Sequence, residues 1–207
     1  MKSDNCFIIA GKLIFILLFP LLFSCSKSDS STPAQPPPPP PPPPPVLTGE
    51  IYYGGDNVDA PTLNAGRYEA AARYTKEKIA TRVGKTIKEI RFYTAAKPDS
   101  VKVKLYAPST STAPGDLLYS ADVTGALESN KWNTHLLTKA ITLKNEDIWL
   151  SIEFKLPGSL KTIGCDPGPA LTDGDWLLSS MDGLWTPFNK RPGSPSINWN
   201  IRLFVDL

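Results

Sequence analysis

Asp147-Ile148-Trp149-Leu150-Ser151-Ile152-Glu153-Phe154-Lys155 (DIWLSIEFK) decides how this chain of 207 residues folds. Ile148, Leu150, Ile152 and Phe154 fall at every second position, so an extended chain puts them on one face. A helix would instead need apolar residues three and four apart. The same period recurs in SVKVKLY (Val101, Val103, Leu105), in KWNTHLL (Trp132, Thr134, Leu136) and in NWNIRLFVDL (Trp199, Ile201, Leu203, Val205). Ile87 to Thr94 and Leu117 to Val123 read as further strands. Turn formers stand between them, at Lys97-Pro98-Asp99 and at Ala113-Pro114-Gly115-Asp116. One short helix is expected from Lys76 to Arg82, with Thr75 as N-cap and Gly84 just past its end. Strands and helices do not alternate, which argues against a Rossmann-like or α/β-barrel scaffold. The expected fold is all-β: an antiparallel β-sandwich of jelly-roll type with one short helix and roughly eight to ten strands. The strand within Asn198 to Leu207 is expected at the centre of a sheet.

Residues 1–24 read as an address. Lys2 and Lys12 precede an apolar run, LIFILLFPLLF, from Leu13 to Phe23. Eleven residues are too few for a membrane span, which needs about 20, and Pro20 interrupts them. Such a run fits the core of a secretory signal peptide. Leu22-Phe23-Ser24-Cys25 resembles a bacterial lipobox, and that resemblance implies a lipidated Cys25 at the start of the mature chain. It also implies stable membrane attachment through more than one acyl chain. Ser26, in place of an aspartate, points to the outer membrane; the periplasmic and the cell-surface orientations both fit. Residues 25–45 are expected to be a linker. The prolines from Pro36 to Pro45 have fixed φ and no amide hydrogens, so they favour a polyproline II spacer of roughly 30 Å.

The remaining residues, 46–207, are enough for one domain with a core of its own. Of 22 Lys/Arg and 20 Asp/Glu, three and two precede Val46, leaving 19 against 18. That balance lacks the basic footprint of a nucleic-acid binder. Cys6 leaves with the leader and Cys25 is assigned to the lipid, so Cys165 has no partner for a disulfide.

The segment Gly164 to Trp185, GCDPGPALTDGDWLLSSMDGLW, carries the densest local signal. Asp182-Gly183 predicts a two-residue hairpin loop, because both positions of a type I′ turn need positive φ. Met181 would then oppose Leu184, and Ser180 would oppose Trp185. Trp176, Leu178 and Trp185 would share one face, and Leu177, Met181 and Leu184 the other. Asp166, Asp173 and Asp175 are candidate calcium ligands, since carboxylates suit a hard cation. They do not follow the EF-hand pattern, because Leu177 and Leu178 occupy its fifth and sixth positions counted from Asp173. Asp-Gly and Asp-Pro-Gly also serve as ordinary turn formers.

WLSIEF, GCDPGPA, GDW, a later Trp and NWNIR together resemble a β-sandwich module of bacterial surface proteins. AARYTKEKIATRVGKTIKEIRFY followed by VKVKLY extends the likeness over residues 66–205. Similar modules stand beside secreted peptidases and in adhesins, including the haemagglutinin-adhesin modules of gingipains. The resemblance implies a jelly-roll fold, a cell-envelope location and a non-catalytic binding or adhesion role.

Catalytic signatures are sparse. His135 is the single histidine, so neither a histidine-rich metal site nor an HExxH motif is available. It is expected on the polar face of its strand, opposite Trp132 and Leu136. No G-x-S-x-G elbow and no phosphate-binding glycine loop occur, and no motif supports a Cys165–His135 pair. A binding module needs only exposed rings as platforms for sugars, and Tyr52, Tyr53, Trp176 and Trp185 are the candidates. Trp149 and Trp199, inside strands, are read as core. Arg67 and Arg73 flank Tyr68 and are read as solvated faces. The expected function is that of a non-catalytic module for a glycan or protein ligand. The alternatives are a structural lipoprotein with an envelope protein partner, and a hydrolase whose carboxylates cluster in a cleft.

Overall fold

The computed structural model describes residues 49–207. The leader, Cys25 and the proline linker lie outside the described residues. Twelve strands occur among them, in chain order β1 (Glu50–Tyr52), β2 (Thr62–Leu63), β3 (Gly66–Tyr74), β4 (Thr86–Thr94), β5 (Ser100–Pro108) and β6 (Pro114–Asp122), then β7 (Lys131–Thr142), β8 (Ile148–Leu156), β9 (Leu160–Lys161), β10 (Trp176–Ser179), β11 (Trp185–Pro187) and β12 (Ile201–Val205). The surplus over the expected number comes from two-residue and three-residue strands at the ends and edges.

All strand pairings are antiparallel. One sheet has the order β1-β12-β4-β7. The other runs β11-β10-β3-β8-β5-β6. The chain crosses between sheets at each of the connections β3–β4, β4–β5, β6–β7 and β7–β8. Without the β10–β11 hairpin, this is the strand order of a jelly roll. The fold is therefore the expected all-β antiparallel sandwich. One buried cluster joins residues of both sheets, including Val103, Ile152 and Phe154 from one and Ile90, Phe92 and Leu203 from the other.

Local sequence explains the elements well. α1 covers Lys76–Ile79 and tightens into a 3-10 turn over Ala80–Arg82. Thr75 caps it by accepting from Lys78 N at 3.3 Å, and Gly84 takes the left-handed conformation beyond its end, φ 85°. β12 lies between β1 and β4, central as expected, with Ile201, Leu203 and Val205 buried. Trp199 is fully buried but precedes the strand, bridging to Cys165.

β8 departs from a half-buried pattern. Its alternate residues Trp149 and Ser151 are as buried as Leu150 and Ile152. The outer face of the six-stranded sheet is therefore covered too.

β7 presents the opposite face from the one expected. Asn133 is buried, His135 is half-buried and Leu137 packs on the core, whereas Leu136 is 66% exposed and Trp132 lies outside. The polar residues can turn inward because each has a partner. Asn133 Oδ1 accepts from Glu128 N at 2.8 Å, and its Nδ2 donates to Glu128 O at 2.9 Å. His135 Nε2 meets Tyr119 OH at 2.7 Å across the gap between the sheets.

The hairpin register is also shifted by two residues, since Leu178 opposes Trp185 and Leu177 opposes Thr186. The Gly183 amide reaches the Ser179 carbonyl at 2.9 Å, which closes a longer loop than Asp182-Gly183 alone. Asp182 then accepts from Leu184 N and Arg191. A shift of two preserves the faces, so Trp176, Leu178 and Trp185 still lie together. Met181 and Leu184, however, are exposed in the loop, at 81% and 63%, and cover nothing.

The β7 orientation predicts a specific pair of outcomes in chemical denaturation. Leu136→Ala should change stability by no more than about 0.5 kcal/mol. Leu137→Ala should cost about 1–2 kcal/mol, less than the loss of a fully buried leucine. The reverse order would place the wrong face inward.

Candidate functional site

The aspartate-rich segment folds the end of the sandwich. Asp166 is 5% exposed, and its carboxylate accepts four hydrogen bonds. Its Oδ1 takes Asn198 N at 2.7 Å and Gly168 N at 3.0 Å, and its Oδ2 takes Asn198 Nδ2 at 2.9 Å and Gly55 N at 3.1 Å. Gly54 must be glycine here: its φ is 74°, and a Cβ would lie 2.3 Å from Asp166 Oδ2. Asp173 serves other partners, Arg73 at 2.9 Å and Trp176 Nε1 at 3.2 Å. Asp175 accepts from Asn189 N at 2.9 Å, and burial raises its carboxyl above the usual aspartate range. The structure thus does not bring the three candidate calcium ligands together. Among the described residues no group of three or more His, Cys, Asp or Glu is placed to hold a metal ion. Amide donors and an arginine occupy the carboxylates instead.

The outer face of the six-stranded sheet carries three tryptophans. Ala71 on β3 leaves room for rings above it, and Trp149 fills the space with Trp176 at 5.2 Å and Trp185 at 5.6 Å between centroids. Trp176 is buried and its indole N–H is bonded, so it offers no platform; Trp185 is half-buried. Beside them lies a polar network. The buried Glu69 accepts from Tyr106 OH at 2.7 Å, Ser151 Oγ at 2.5 Å and Lys104 Nζ at 3.0 Å. Lys104 also binds Glu153 at 2.7 Å, and Glu153 takes Arg67 at 2.6 Å. Burial alone would raise the Glu153 carboxyl, but Lys104 and Arg67 outweigh it and hold it below the usual glutamate range. These two carboxylates share one lysine, and donors from β3, β5 and β8 meet their charge.

The four-stranded sheet exposes a different surface. The register places Tyr52 beside Arg202, Arg202 beside Arg91 and Arg91 beside Thr134. In the next row Glu50, Phe204, Glu89 and Leu136 follow one another, and Tyr93 pairs with Trp132. The Arg202 guanidinium packs on both the Tyr52 ring, at 4.6 Å, and the Trp132 ring, at 4.2 Å. Its NH1 donates to Glu50 at 2.7 Å and its NH2 to Gly55 O at 3.1 Å. Arg91 lies 3.9 Å from the Phe204 ring centroid and pairs with Glu89. Tyr93 meets Trp132 edge-on and donates to Asn130. Tyr52, Tyr93, Trp132 and Phe204 are half-buried, and Thr134 and Leu136 are exposed beside them.

Of the four candidate ring platforms, then, Tyr52 and Trp185 keep an exposed part. Tyr53 does not. It is buried, stacked on Tyr74 at 5.5 Å with planes 2° apart, and its hydroxyl donates to the Arg73 carbonyl. Trp132, Tyr93 and Phe204 were not singled out in the sequence. Trp132 looks like a core residue because Thr134 and Leu136 follow it at period two. The one clue to the contrary is Leu137, which supplies the other face of β7 with an apolar residue of its own.

Cys165 and His135 serve separate neighbours. Cys165 is 4% exposed, between Asp59 and Trp199. Burial, with Asp59 and Asp166 nearby, pushes its thiol up to about 11, so it is protonated at neutral pH. His135 binds Tyr119, and burial holds its imidazole below the usual histidine range.

No protein-family model and no curated protein matches this chain. A solved structure does. A clostridial cysteine protease, Cwp84 after propeptide cleavage, superposes with a TM-score of 0.53 at 10% identity. The likeness covers 76% of this chain and 40% of that one, so this chain spans well under half of that protein. At such identity the two share a fold, and the shared part is a sheet-rich sandwich.

The Cys165 environment sets an expectation for thiol labelling. At pH 8 the native protein should react with an aromatic disulfide reagent at least ~100-fold more slowly than the unfolded chain, which exposes the thiol and returns it to an ordinary pKa. Rapid native labelling would mean an accessible thiolate at this position.

Proposed function

We propose that this chain is a membrane-anchored cell-envelope lipoprotein that presents a non-catalytic β-sandwich module for binding or adhesion. The observation that carries this reading is the strip of half-exposed rings and arginines Tyr52–Arg202–Trp132 on the outer face of the four-stranded sheet. Rings with an edge or face in solvent suit the C–H faces of sugars. Tyr, Trp and Arg are also the residues enriched where proteins bind each other. The strip is rigid before any ligand arrives, because Arg202 is held by Glu50, by the Gly55 carbonyl and by two rings. Prior rigidity lowers the entropic cost of binding. The leader ending at Cys25 and the proline run to Pro45 support delivery to the outer membrane and a spacer beneath the domain.

A protein partner is the second reading, favoured by Leu136, which stands 66% exposed at the end of the row Glu50–Phe204–Glu89. An apolar residue on a ring-and-arginine face suits a protein surface better than a sugar.

Two measurements test the proposal. Cys25→Ser should abolish incorporation of labelled palmitate and release the protein from the membrane fraction; continued labelling would sink the lipoprotein assignment. Binding is screened on a glycan array and by crosslinking in intact envelopes. Trp132→Ala should weaken whichever ligand is found by about ten-fold or more, as hot-spot rings do. Trp185→Ala, on the opposite sheet, should leave that ligand bound. Equal loss in both variants, or loss only with Trp185→Ala, would move the site off the four-stranded sheet.

A further inference from the structure

Next to Tyr52, between edge strand β1 and the helix α1, lies a polar recess of about 420 Å³. Its volume falls within the ~300–1,000 Å³ of small-molecule sites. Glu50, Tyr52, Gly54, Lys78, Thr81 and Arg82 line it. Among the described residues Glu50 is the recess's one carboxylate, and Arg202 already neutralises it at 2.7 Å. Lys78 stands 4.6 Å from the Tyr53 ring centroid, and among the described residues no carboxylate pairs with it. Burial lowers its ammonium below the usual lysine range, and no neighbouring acid restores it. Arg82 lines the same recess and is engaged there, donating to Thr81 Oγ1 at 2.5 Å.

A lysine held against an aromatic ring without a counter-ion favours an incoming anion, because the anion supplies the missing charge at a partly desolvated position. The recess also offers features that a bare anion would not use. The Tyr52 ring and the Thr81 hydroxyl suit the C–H face and the hydroxyls of a sugar.

We infer that this recess binds an acidic saccharide, with Tyr52 against the sugar ring and Lys78 on its carboxylate. The inference rests on the binding-module reading and narrows its ligand. The strip and the recess meet at Tyr52, so a chain of sugars lying on the sheet would deliver an acidic residue to Lys78.

The test is calorimetric titration of the full chain in detergent micelles with a galacturonic acid trisaccharide, its neutral galactose counterpart, and inorganic phosphate. The uronate should bind more tightly than the neutral sugar, and added salt should weaken it. Lys78→Met keeps the aliphatic stem and removes the charge; it should weaken the uronate about ten-fold or more, while Lys78→Arg restores most of the affinity. Thermal midpoints of both variants report whether the fold is intact. A Kd for Lys78→Met within about two-fold of the parent would overturn the inference. So would equal affinity for the two sugars, and so would phosphate that binds as well as the uronate, which marks a general anion site. If the uronate fails while a neutral glycan or a protein still binds in a Trp132-dependent way, this inference falls and the broader reading stands. If nothing binds the strip either, both fall.

Discussion

The carboxylate of Asp166 is the constraint on which the end of the sandwich depends. A buried anion is costly unless donors surround it, and four N–H groups from Gly55, Gly168 and Asn198 do so. Those donors belong to three segments far apart in sequence. Satisfying one carboxylate therefore fixes the turn after β1, the loop before the hairpin and the approach to β12 together. One end of the ring-and-arginine strip is tied to that placement. Tyr52 lies just before the first segment, Arg202 just after the third, and Arg202 returns to the first through the Gly55 carbonyl.

The two outer faces of the sandwich have been treated differently by the same chain. On the six-stranded sheet a hairpin adds two strands, and Trp176 and Trp185 from it cover Trp149 over Ala71. Glu69 beside them is buried but saturated by a tyrosine, a serine and a lysine. That face is largely filled by its own side chains. Among the described residues no such hairpin covers the four-stranded sheet, and its rings are shielded by arginines of neighbouring strands and by one another. Arginine on a ring is a contact that can accept a further partner on its rim, since the guanidinium has more donors than Glu50 and Gly55 use. The open face is for this reason the one proposed to bind a ligand.

The resemblance to β-sandwich modules was a statement about turns and core aromatics, and the fold it implied is the fold present. The likeness to the clostridial protease extends no further than that, at 10% identity. Cys165 shows why fold and chemistry must be argued separately. A lone cysteine in a glycine-rich loop attracts attention in a sequence, yet here it is a buried thiol, raised to about 11, bridged by the backbones of Asp59 and Trp199.

Local patterns were enough for the fold class. Period-two runs gave β5, β7, β8 and β12, a capping threonine and a following glycine gave the helix, and the absence of strand–helix alternation gave the class. These signals are local, because each reports which residues one strand or one helical turn must hide. The leader-like apolar run, the lipobox-like cysteine and the proline run are local patterns in the same sense. What could not be read was which side each sheet leaves open. β7 has apolar residues on both faces, at Trp132 and Leu136 on one and at Leu137 on the other, so its facing turned on partners for Asn133 and His135 contributed by other strands. The aspartates are ambiguous for the same reason: a carboxylate is a metal ligand or an amide acceptor according to what the fold brings to it. Asn198, Arg73 and Asn189 lie 14 to 100 residues away from the aspartates they meet, and no window of sequence contains such pairs. Local patterns set what must be buried; long-range partners set what stays exposed.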